Sequence, residues 1–492
     1  MIYLTGENVF TFNSGTEFSQ FERLELFNKC GLETKLLLRD YNRMLAKDIA
    51  AHGLDPKAIL NMYDYFQEAV LFPRKERPLR LLDSIALQDY HIVGVDNNTS
   101  ELRYQGNLVG KVDVMPETVG LVGAISYFDR MGHTLLKEYW DWRGFRSLVE
   151  TYHPDGSIAT KEYLKPTGEV ALEVAHMYIG NEVAPTSYKL IDYRGKDYVF
   201  DTKDQLYTFF LNEVNAQLPG VFISDRRTLD RCVANVAYAQ KKLAYIHSVP
   251  FVDSKRPQRG ILATYQTALT GGNFDQVIFP TKKEATDVKQ ELALELGTAF
   301  APDSWVKVTD KVKDISAGKT IVYVGRLAED KNITDLLRSF KVMHLKDQTL
   351  RFKLQGYFSS LAYKEQLQKL VTKLNLQDAV EFLDYSPNLD IYEQATLFMN
   401  ASLNEGFGMN MLEAMSYGVP VVSYANDYSV VKDGENGALV KNKTPKILAK
   451  KALSILEAKE MYANLSKGAC KTASKYDAKT FITTWKPLVE IS

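Results

Sequence analysis

Two glutamates bracket a stretch rich in glycine and methionine, "LNEGFGMNMLEAMSYG". Glu405 follows the apolar run "LFMNAS", and the pattern after the next two glycines predicts a helix that begins near Met409, with Glu413 about a turn inside it. Backbone N–H groups at such a helix start bind anions. Carboxylates beside them are good acceptors for sugar or ribose hydroxyls. The alternative is that Glu405 interacts favourably with the dipole at the helix N-terminus and that Glu413 is a surface residue.

A second candidate segment, "VYVGRLAEDKN", ends a β-type run at Gly325. Glycine lets the backbone approach a ligand closely, and the cations Arg326 and Lys331 that follow suit a diphosphate. The alternative is an ordinary strand end with two solvated cations. A third candidate is His247 in "AYIHSVPF", one of seven histidines in the chain. A lone histidine after a strand is more often structural, but this one is expected to face a ligand cleft.

The elements that position these residues alternate strands and helices in the manner of doubly wound parallel sheets. In open sheets of this kind, ligands bind beyond the carboxyl ends of the strands. At 492 residues the chain is too long for one core. We predict an N-terminal Rossmann-like domain in two parts, residues 1–78 and 198–305, a second α/β domain at 306–476, and a final helix at 477–492.

Local patterns predict several elements of the first α/β domain. "NVFTFNSGTE" is expected to be a loop that contains Gly15. "DPKAILNMYDYFQEAV", which Asp55 can cap, and "ANVAYAQ" are expected to be helices. "KKLAYIHSVPF" is expected to be a strand that ends at His247, and Thr281 is expected to cap the helix after "FDQVIFP".

From residue 79 to residue 197 the pattern changes. Turn signals recur at short intervals between runs rich in tyrosine and valine, as in "YQGN", "DWRGFR", "HPDGS", "KPTGE" and "DYRGKD". Such spacing is typical of antiparallel hairpins. We predict an all-β module inserted into the first domain. It is expected to bind another molecule, to mediate self-association, or to serve as a scaffold.

Composition excludes several classes of protein. The formal net charge of −1 gives no case for a nucleic-acid binder. The three cysteines are widely separated and lack metal-type spacing, which indicates reduced thiols. The start "MIYLTGENVF" lacks the regions of a signal peptide, and no apolar run is long enough to span a bilayer. We expect a soluble cytoplasmic protein, or one peripheral on the inner face of the cell membrane.

The combination of "GRLAEDK" with "EGFGMNMLE" on a two-domain α/β chain resembles the retaining glycosyltransferases of the GT-B fold, and more narrowly family 4 with its E-x7-E motif. The inserted β module and "NSGTEFSQFERLELF" narrow the resemblance to a bacterial group. This group contains wall-teichoic-acid α-glycosyltransferases and the transferases that put glucose or GlcNAc on serine-rich adhesins. The implied fold class is α/β, GT-B: two doubly wound Rossmann-like domains facing a cleft, with the antiparallel module inserted in the first. The resemblance also implies that the C-terminal domain at 306–476 binds the nucleotide sugar and that the final helix at 477–492 returns to the N-terminal domain.

The resemblance implies a role for each candidate residue. Arg326 and Lys331 hold the diphosphate of a UDP-sugar, and Glu413 binds the ribose. Glu405 and His247 contact the donor sugar. The remaining implied donor-binding residues are Gly15, in a loop that closes over the diphosphate, and Gly325, Tyr385, Gly406, Phe407, Gly408, Met409, Asn410 and Met411. Relatives often carry further polar residues after the histidine, whereas Ser248, Val249 and Pro250 follow here.

The implied chemistry places negative charge on the departing phosphate and cationic character on the sugar. Arg326, Lys331 and the helix-start amides are expected to stabilise that phosphate. The family's retaining outcome is explained by front-face attack, so Glu405 positions the sugar and is not a nucleophile. No Asp-x-Asp cluster stands at a strand end, so we expect no obligatory metal and no other cofactor; UDP-glucose or UDP-GlcNAc is the donor.

The acceptor leaves alternatives open. A surface that binds teichoic-acid polyanions should carry excess lysine and arginine, and the near-neutral charge therefore favours Ser/Thr of a serine-rich protein. A different class is a non-catalytic partner subunit, but such chains should have lost the Arg/Lys and Glu/Glu sets, which are intact here. Storage-polymer or sucrose-type synthesis on the same fold would not readily explain the β insert. Expected partners are the nucleotide sugar, a polymeric acceptor and a second copy of the chain through the β insert.

Overall fold

A computed structural model describes residues 1–79, 85, 89–252, 260–294, 296–309, 311–315 and 319–490. The chain divides into two compact units. The first comprises Met1–Asn13 and Leu32–Lys242, and the second comprises Ser14–Gly31 and Leu243–Ser492. Among the helices of the described residues, none combines the length and the apolarity needed to cross a bilayer.

The described helices and strands are numbered in chain order. The helices are α1 (Gly15–Lys29), α2 (Leu45–Ala51), α3 (Met62–Phe66), α4 (Lys203–Gln217), α5 (Asp230–Ala234), α6 (Gln266–Leu269), α7 (Lys282–Glu291), α8 (Ile333–Lys346), α9 (Leu361–Lys373), α10 (Ile391–Gln394), α11 (Met409–Ser416), α12 (Pro445–Glu457), α13 (Lys459–Ala473) and α14 (Ala478–Val489). The strands are β1 (Ile2–Gly6), β2 (Thr34–Leu38), β3 (Ile59–Asn61), β4 (His91–Gly94), β5 (Thr99–Tyr104), β6 (Asn107–Val114), β7 (Val122–Phe128), β8 (Thr134–Trp140), β9 (Arg146–Tyr152), β10 (Ile158–Leu164), β11 (Val170–Ile179), β12 (Glu182–Tyr193), β13 (Lys196–Phe200), β14 (Val221–Ser224), β15 (Lys241–Tyr245), β16 (Gln276–Phe279), β17 (Gly297–Phe300), β18 (Thr320–Val324), β19 (Arg351–Gln355), β20 (Val380–Leu383), β21 (Leu397–Asn400), β22 (Val421–Tyr424) and β23 (Gly437–Val440).

The first unit contains four parallel strands in the order β14-β1-β2-β3. Strand β1 is buried throughout, as expected of a strand covered on both faces. The same unit carries the antiparallel sheet, in which strands β4 to β13 each pair with the next in sequence. Arg143, in the turn between β8 and β9, ties this sheet to helix α3 by donating to Asp64 at 2.7 Å and to Asp141 at 2.7 Å.

The predicted hairpins are confirmed. Each of the five turn signals lies between two consecutive antiparallel strands. The glycine is needed where the chain reverses, as at "DYRGKD", because Arg194 and Gly195 both have positive φ values, 53° and 78°. The antiparallel sheet has ten strands among the described residues, β4 to β13, and they run from His91 to Phe200. The predicted domain boundaries stay predictions.

The second unit holds two groups of parallel strands. One has the order β17-β16-β15, with helix α7 between β16 and β17. The other is a sheet in the order β20-β19-β18-β21-β22-β23, which is the doubly wound pattern predicted for the C-terminal half. The sheet is buried in a continuous core, because side chains from β18, β19, β21 and β22 pack against helices α8, α11, α12 and α13.

Some local predictions were wrong. The predicted helix after Asp55 is broken into a 3-10 turn, the short strand β3 and helix α3, because pairing of Ile59 with Leu36 takes precedence over helix propensity. The stretch "ANVAYAQ", residues 234–240, was predicted to be a helix, but helix α5 ends at its first residue, Ala234. Gly15, expected in a loop, is the first residue of helix α1.

Other local predictions were right or nearly so. The side chain of Thr281 accepts from the backbone N–H of Glu284 and caps α7, as predicted. Helix α11 begins at Met409, where the pattern placed a helix start. Strand β15 ends at Tyr245, two residues before the predicted end at His247.

Trp485 on α14 holds together the elements around His247. Its ring is fully buried and packs against Phe27 of α1 and Tyr245 of β15, with centroids 5.8 and 5.2 Å away. The Arg23 guanidinium lies 4.4 Å from the Trp485 ring, and the indole N–H donates to the Pro302 carbonyl at 3.1 Å. This tryptophan therefore fixes helix α1 and the segment after β17.

Replacing Trp485 by Ala should lower the free energy of unfolding by about 3–5 kcal/mol, because a large buried ring leaves a cavity. Trp485→Phe should cost less, since it keeps most ring contacts and loses the hydrogen bond to Pro302. Urea titration followed by far-ultraviolet circular dichroism measures both. Tyr238→Ala, at a ring that is 96% exposed, is the control and should be near neutral. Equal effects for Trp485→Ala and the control would contradict the conclusion that Trp485 fixes helix α1 and the segment after β17.

Candidate active site

The candidate residues come together because strands β18 and β21 are parallel neighbours in one sheet. Gly325 and Arg326 follow the carboxyl end of β18, and Glu405 follows the carboxyl end of β21. At this edge the Lys331 Nζ lies 3.1 Å from Glu405 Oε2. The two side chains are 23% and 15% exposed, so the ion pair is largely shielded from water. Residues that are 74 positions apart thus share one site.

Arg326 is less constrained than Lys331. Its guanidinium donates to Asp330 at 2.7 Å, and both side chains are more than a third exposed. An exposed pair of this kind contributes little to stability. The guanidinium can therefore exchange Asp330 for a phosphate at little cost.

The start of α11 is anchored to the end of β18. Asn410 donates through its side-chain amide to the Val324 carbonyl at 2.7 Å. A Cβ added at Gly325, whose φ is 145°, would lie 3.2 Å from the Tyr323 hydroxyl. Glycine is thus required at this position for the backbone to pass so close to its neighbours.

Helix α1 begins beside helix α11. A Cβ added at Gly15 would lie 3.9 Å from the Met409 sulfur, so the first residues of the two helices are in contact range. Ser14, which precedes α1, donates to Glu17 through its backbone N–H at 2.9 Å. Each helix start carries partial positive charge from backbone N–H groups that have no partner within the helix. Their convergence makes a site for an anion.

The loop between Glu405 and α11 is pressed against His247. A Cβ added at Gly406 would lie 2.7 Å from the His247 carbonyl oxygen, closer than real Cβ contacts allow. Gly408 caps α11 with a φ of 87°. The side chains of Phe407 and Met411 point into the core, and the Met411 backbone N–H donates to the Gly408 carbonyl at 3.1 Å.

His247 is itself held from behind. Its Nδ1 lies 2.9 Å from Asp303 Oδ1, and the two side chains are 10% and 8% exposed. The Ser19 hydroxyl of α1 donates to the same carboxylate oxygen at 2.8 Å. Sequence analysis did not single out Asp303 or Ser19. The only signal was that Asp303, like His247, follows the end of a strand.

Two carboxyls converge from α11 and α1. Burial raises the pKa of Glu413 to about 7, although its oxygen accepts from the Tyr392 hydroxyl at 3.0 Å. Burial also raises the pKa of Glu22 to about 8, with a further contribution from the Glu413 charge. Glu22 accepts from the Ser304 hydroxyl at 2.6 Å. Sequence analysis missed Glu22, which lies in the helix "EFSQFERLELF" without a distinguishing pattern.

The candidate Tyr385 also lies near α1. Its ring stacks on Phe18 with centroids 5.9 Å apart. Burial raises its pKa, and the Glu413 charge contributes. Tyr385 is thus within electrostatic reach of the carboxyl that is expected to bind ribose.

Glu284 is a fully buried carboxyl near the His247–Asp303 pair. Among the described residues, neither of its carboxyl oxygens has a hydrogen-bond partner. Burial, with the charges of Asp303 and Asp287, raises its pKa to about 8. A search of the same residues for three or more His, Cys, Asp or Glu side chains placed to hold a metal ion finds no such group.

Part of the chain matches a known protein family. Residues 308–472 match the family model "Glycosyl transferases group 1". This range contains the strands β18 to β23 and every candidate residue from Gly325 to Glu413. The candidate site and the family match thus fall on the same part of the chain.

Particular relatives narrow the comparison. The chain is 22% identical over 456 residues to the UDP-N-acetylglucosamine–peptide N-acetylglucosaminyltransferase GtfA subunit of Streptococcus pneumoniae serotype 4, covering 87% of this chain and 85% of that protein. It is 25% identical over 407 residues to the poly(glycerol-phosphate) alpha-glucosyltransferase of Bacillus subtilis, covering 80% of this chain and 58% of that protein. The crystal structure of the pneumococcal O-GlcNAc transferase GtfA in complex with UDP and GlcNAc has a TM-score of 0.84 at 18% identity, covering 99% of this chain and 98% of that one.

The structural likeness confirms the predicted GT-B fold class. The predicted resemblance to the bacterial group that contains adhesin and teichoic-acid transferases is confirmed too, because relatives of both kinds match. The assignment to family 4 and the roles of the individual residues stay predictions.

Replacing Gly406 by Ala should destabilise the second unit by roughly 1–3 kcal/mol, because the new methyl group meets the rigid His247 carbonyl. Thermal unfolding of Gly406→Ala and of Gly94→Ala tests this. Gly94 is the matched control, since a Cβ there meets nothing within 4 Å. A Gly406→Ala protein as stable as the control would show that the loop has room to move away from His247.

Replacing Glu284 by Gln should change how stability depends on pH. The folded-state pKa of about 8 lies above the usual 4.5, so the folded protein binds a proton that the unfolded chain releases. The contribution of Glu284 is therefore fully present below about pH 4.5 and is lost as the pH rises through 8, by about 1.4 kcal/mol per pKa unit. Glu284→Gln cannot titrate, so its advantage over the wild type should grow from pH 5 to pH 8.5 in urea titrations. Glu457→Gln, at an exposed position, is the control. A difference that does not vary with pH would contradict the assignment.

Proposed function

We propose that this chain is a retaining, UDP-sugar-dependent hexosyltransferase. It moves glucose or GlcNAc onto hydroxyl groups of a polymeric acceptor that is destined for the cell surface. One observation carries the proposal: Arg326 and Lys331 follow strand β18 at the edge of the sheet where Lys331 pairs with Glu405, and helix α11, which begins after Glu405, has its first residue within contact range of Gly15 at the start of α1. That arrangement suits the diphosphate of a nucleotide sugar.

A diphosphate needs several positive groups in fixed positions. Lys331 is fixed by Glu405, and the amides of α11 are fixed by the Asn410–Val324 hydrogen bond. Arg326 provides a planar guanidinium, which binds phosphate through two parallel hydrogen bonds. Neither Gly15, at the start of α1, nor Gly325, after β18, has a side chain that would occupy the space of the ligand. Lys331 and the helix-start amides stabilise UDP as it leaves without having to reorganise, whereas Arg326 first exchanges Asp330 for the phosphate.

The carboxyls suit the hydroxyl groups of the donor. Glu405 lies beside Lys331 and accepts from the donor hexose, while Glu413 binds the ribose. With a pKa of about 7, Glu413 is partly protonated at neutral pH, so it both accepts and donates hydrogen bonds. His247 contacts the donor sugar, and Tyr385 lies near the nucleoside. Glu405, Glu413 and Tyr385 are supported by their place after strands of one sheet and within the family match of residues 308–472. His247, which lies outside that match, is supported by its contact with Gly406 in the loop after Glu405.

In the proposed reaction the acceptor oxygen forms a bond to the anomeric carbon as the bond to the β-phosphate oxygen breaks. The acceptor's proton passes to the departing phosphate, on the same face of the sugar, so the configuration is retained. Lys331 and Arg326 balance the negative charge that grows on this phosphate. The site thus favours the transition state over the bound substrate.

No obligatory metal enters this proposal, because cationic side chains and amides take the place a divalent ion would occupy at a diphosphate. Full activity in excess EDTA is expected. Activity that is lost in EDTA and restored by Mn²⁺ would contradict the proposal that no metal is required.

The favoured acceptor is Ser/Thr of a serine-rich adhesin protein. The chain carries 60 Lys and Arg against 61 Asp and Glu, which gives no general attraction for a polyanion. The second candidate is α-glycosylation of wall teichoic acid, which the Bacillus relative favours. A non-catalytic partner subunit is the least favoured, since the Arg/Lys and Glu/Glu sets are intact.

The same proposal places the protein in the cytoplasm or at the inner face of the membrane, where UDP-sugars are made. The three cysteines are free thiols, which fits a reducing compartment. The β insert is proposed to bind the acceptor or a second copy of the chain.

The decisive experiment measures UDP release from UDP-glucose and from UDP-GlcNAc, each offered a Ser/Thr-rich polypeptide or a teichoic acid. We expect one donor and the polypeptide to give rapid release, with an α-linked product by NMR. A β-linked product would contradict retention, and release with teichoic acid alone would favour the second candidate.

Lys331→Ala should abolish transfer and leave the protein folded, because it removes a fixed charge at the leaving phosphate. Lys353→Ala is the matched control, since Lys353 forms an ion pair with Glu381 on the same sheet. Turnover of Lys331→Ala near that of the control would show that the diphosphate is bound elsewhere.

A further inference from the structure

We infer that Asp303 is a positioning residue that sets the orientation and the tautomer of His247, and that Ser19 of helix α1 orients Asp303 in turn. The inference rests on the proposed function, because it concerns the histidine that is proposed to contact the donor sugar. It names two residues that the sequence motifs do not include.

The first step is the contact between the two side chains. His247 Nδ1 and Asp303 Oδ1 are 2.9 Å apart, and both groups are about nine-tenths shielded from water. The His247 ring also packs edge-on against Tyr245, with centroids 4.6 Å apart. This hydrogen bond and this ring contact both restrict rotation of the imidazole.

Hydrogen bonds hold both the backbone before Asp303 and the Asp303 side chain in place. The Tyr245 hydroxyl donates to the Ala301 carbonyl at 3.0 Å, and the Trp485 indole donates to the Pro302 carbonyl at 3.1 Å. The backbone before Asp303 is thus fixed. The Ser19 hydroxyl is 2.6 Å from the Asp303 carbonyl oxygen and 2.8 Å from its carboxylate, so it holds backbone and side chain together.

The contact with Asp303 also determines which nitrogen of the His247 ring carries the hydrogen. A carboxylate can only accept, so the contact places a hydrogen on His247 Nδ1 and leaves Nε2 with a lone pair in the neutral ring. Glu284 faces the same pair, and burial raises its pKa to about 8, so it is mostly uncharged at neutral pH. Asp303 is then the acceptor that selects the tautomer.

The fourth step is the link to α1. Ser19 lies one helical turn after Gly15, which begins this helix beside Met409. Arg23, one turn further on, donates to the Ser19 hydroxyl at 3.2 Å and packs over Tyr245 at 4.7 Å. The helix proposed to face the diphosphate thus also holds the carboxylate behind the histidine. This arrangement fixes the sugar-contacting group relative to the phosphate-binding group.

The test combines a spectroscopic and a kinetic readout on the full chain. In protein labelled with ¹⁵N-histidine, with His247 assigned by comparison with His247→Gln, the wild type should show the Nδ1–H tautomer. Asp303→Ala should shift His247 toward the Nε2–H tautomer. It should also lower kcat by about tenfold or more, while the affinity for UDP, which lacks the sugar, stays within about twofold by calorimetry.

Ser19→Ala is the second variant, and it keeps the test valid if Asp303→Ala folds poorly. It should give a smaller loss of kcat in the same direction. Asp230→Asn is the control, because Asp230 is also a buried aspartate that accepts from a serine hydroxyl, at 2.7 Å from Ser224. It should leave the His247 resonances and kcat unchanged.

The outcomes separate the inference from the proposed function. An Nε2–H tautomer in the wild type, or unchanged kcat in a folded Asp303→Ala protein, would overturn the positioning role. If the wild type transfers no sugar, the proposed function fails, and the tautomer measurement still decides whether Asp303 sets His247. Loss of stability with unchanged kcat and tautomer would make Asp303 purely structural and overturn the inference.

Discussion

The ion pair between Lys331 and Glu405 is the interaction around which the candidate site is arranged. It joins the segment after β18 to the segment after β21, so two loops that are far apart in sequence share one geometry. A largely shielded pair is costly to break, because each partner would be left as an unpaired charge. Lys331 is therefore held in place before any ligand arrives. This preorganisation is what stabilisation of a leaving phosphate requires.

Close backbone contacts impose the second constraint. Gly325 lies against Tyr323 and Asn410, and Gly406 lies against the His247 carbonyl. Gly406 has no room for a side chain, and Gly325 has a φ of 145°, which residues with a side chain rarely adopt. The loop that carries Glu405 is therefore confined between His247 on one side and the start of α11 on the other. The groups proposed to contact the donor sugar and the phosphate are Lys331, Glu405, His247 and the start of α11. They thus depend on one another for their positions.

Much of this site could be predicted from the sequence, for a physical reason. In a parallel sheet the carboxyl ends of strands meet at one edge, so polar residues after β18 and β21 had to lie near each other. Glycine, arginine, lysine and glutamate in those positions carry the chemistry in their residue types. The hairpin signals were equally informative, because a tight turn depends on local backbone conformation alone.

The rest depends on contacts that local patterns do not encode. Asp303 reaches His247 across 56 residues because β15, β16 and β17 are neighbours, and Ser19 reaches Asp303 across 284 residues because α1 packs beside them. Strand order is a tertiary property, so neither pairing has a sequence signature. The same limit explains the wrong helix after Asp55, where pairing of β3 with β2 overrides helix propensity.

The central claim is that this strand edge binds a diphosphate. Calorimetric titration of the wild-type protein with uridine, UMP and UDP, at one ionic strength, tests it most directly. Affinity should rise steeply along the series, because each added phosphate meets Arg326, Lys331 and the two helix starts. Equal affinities for uridine and UDP would contradict it.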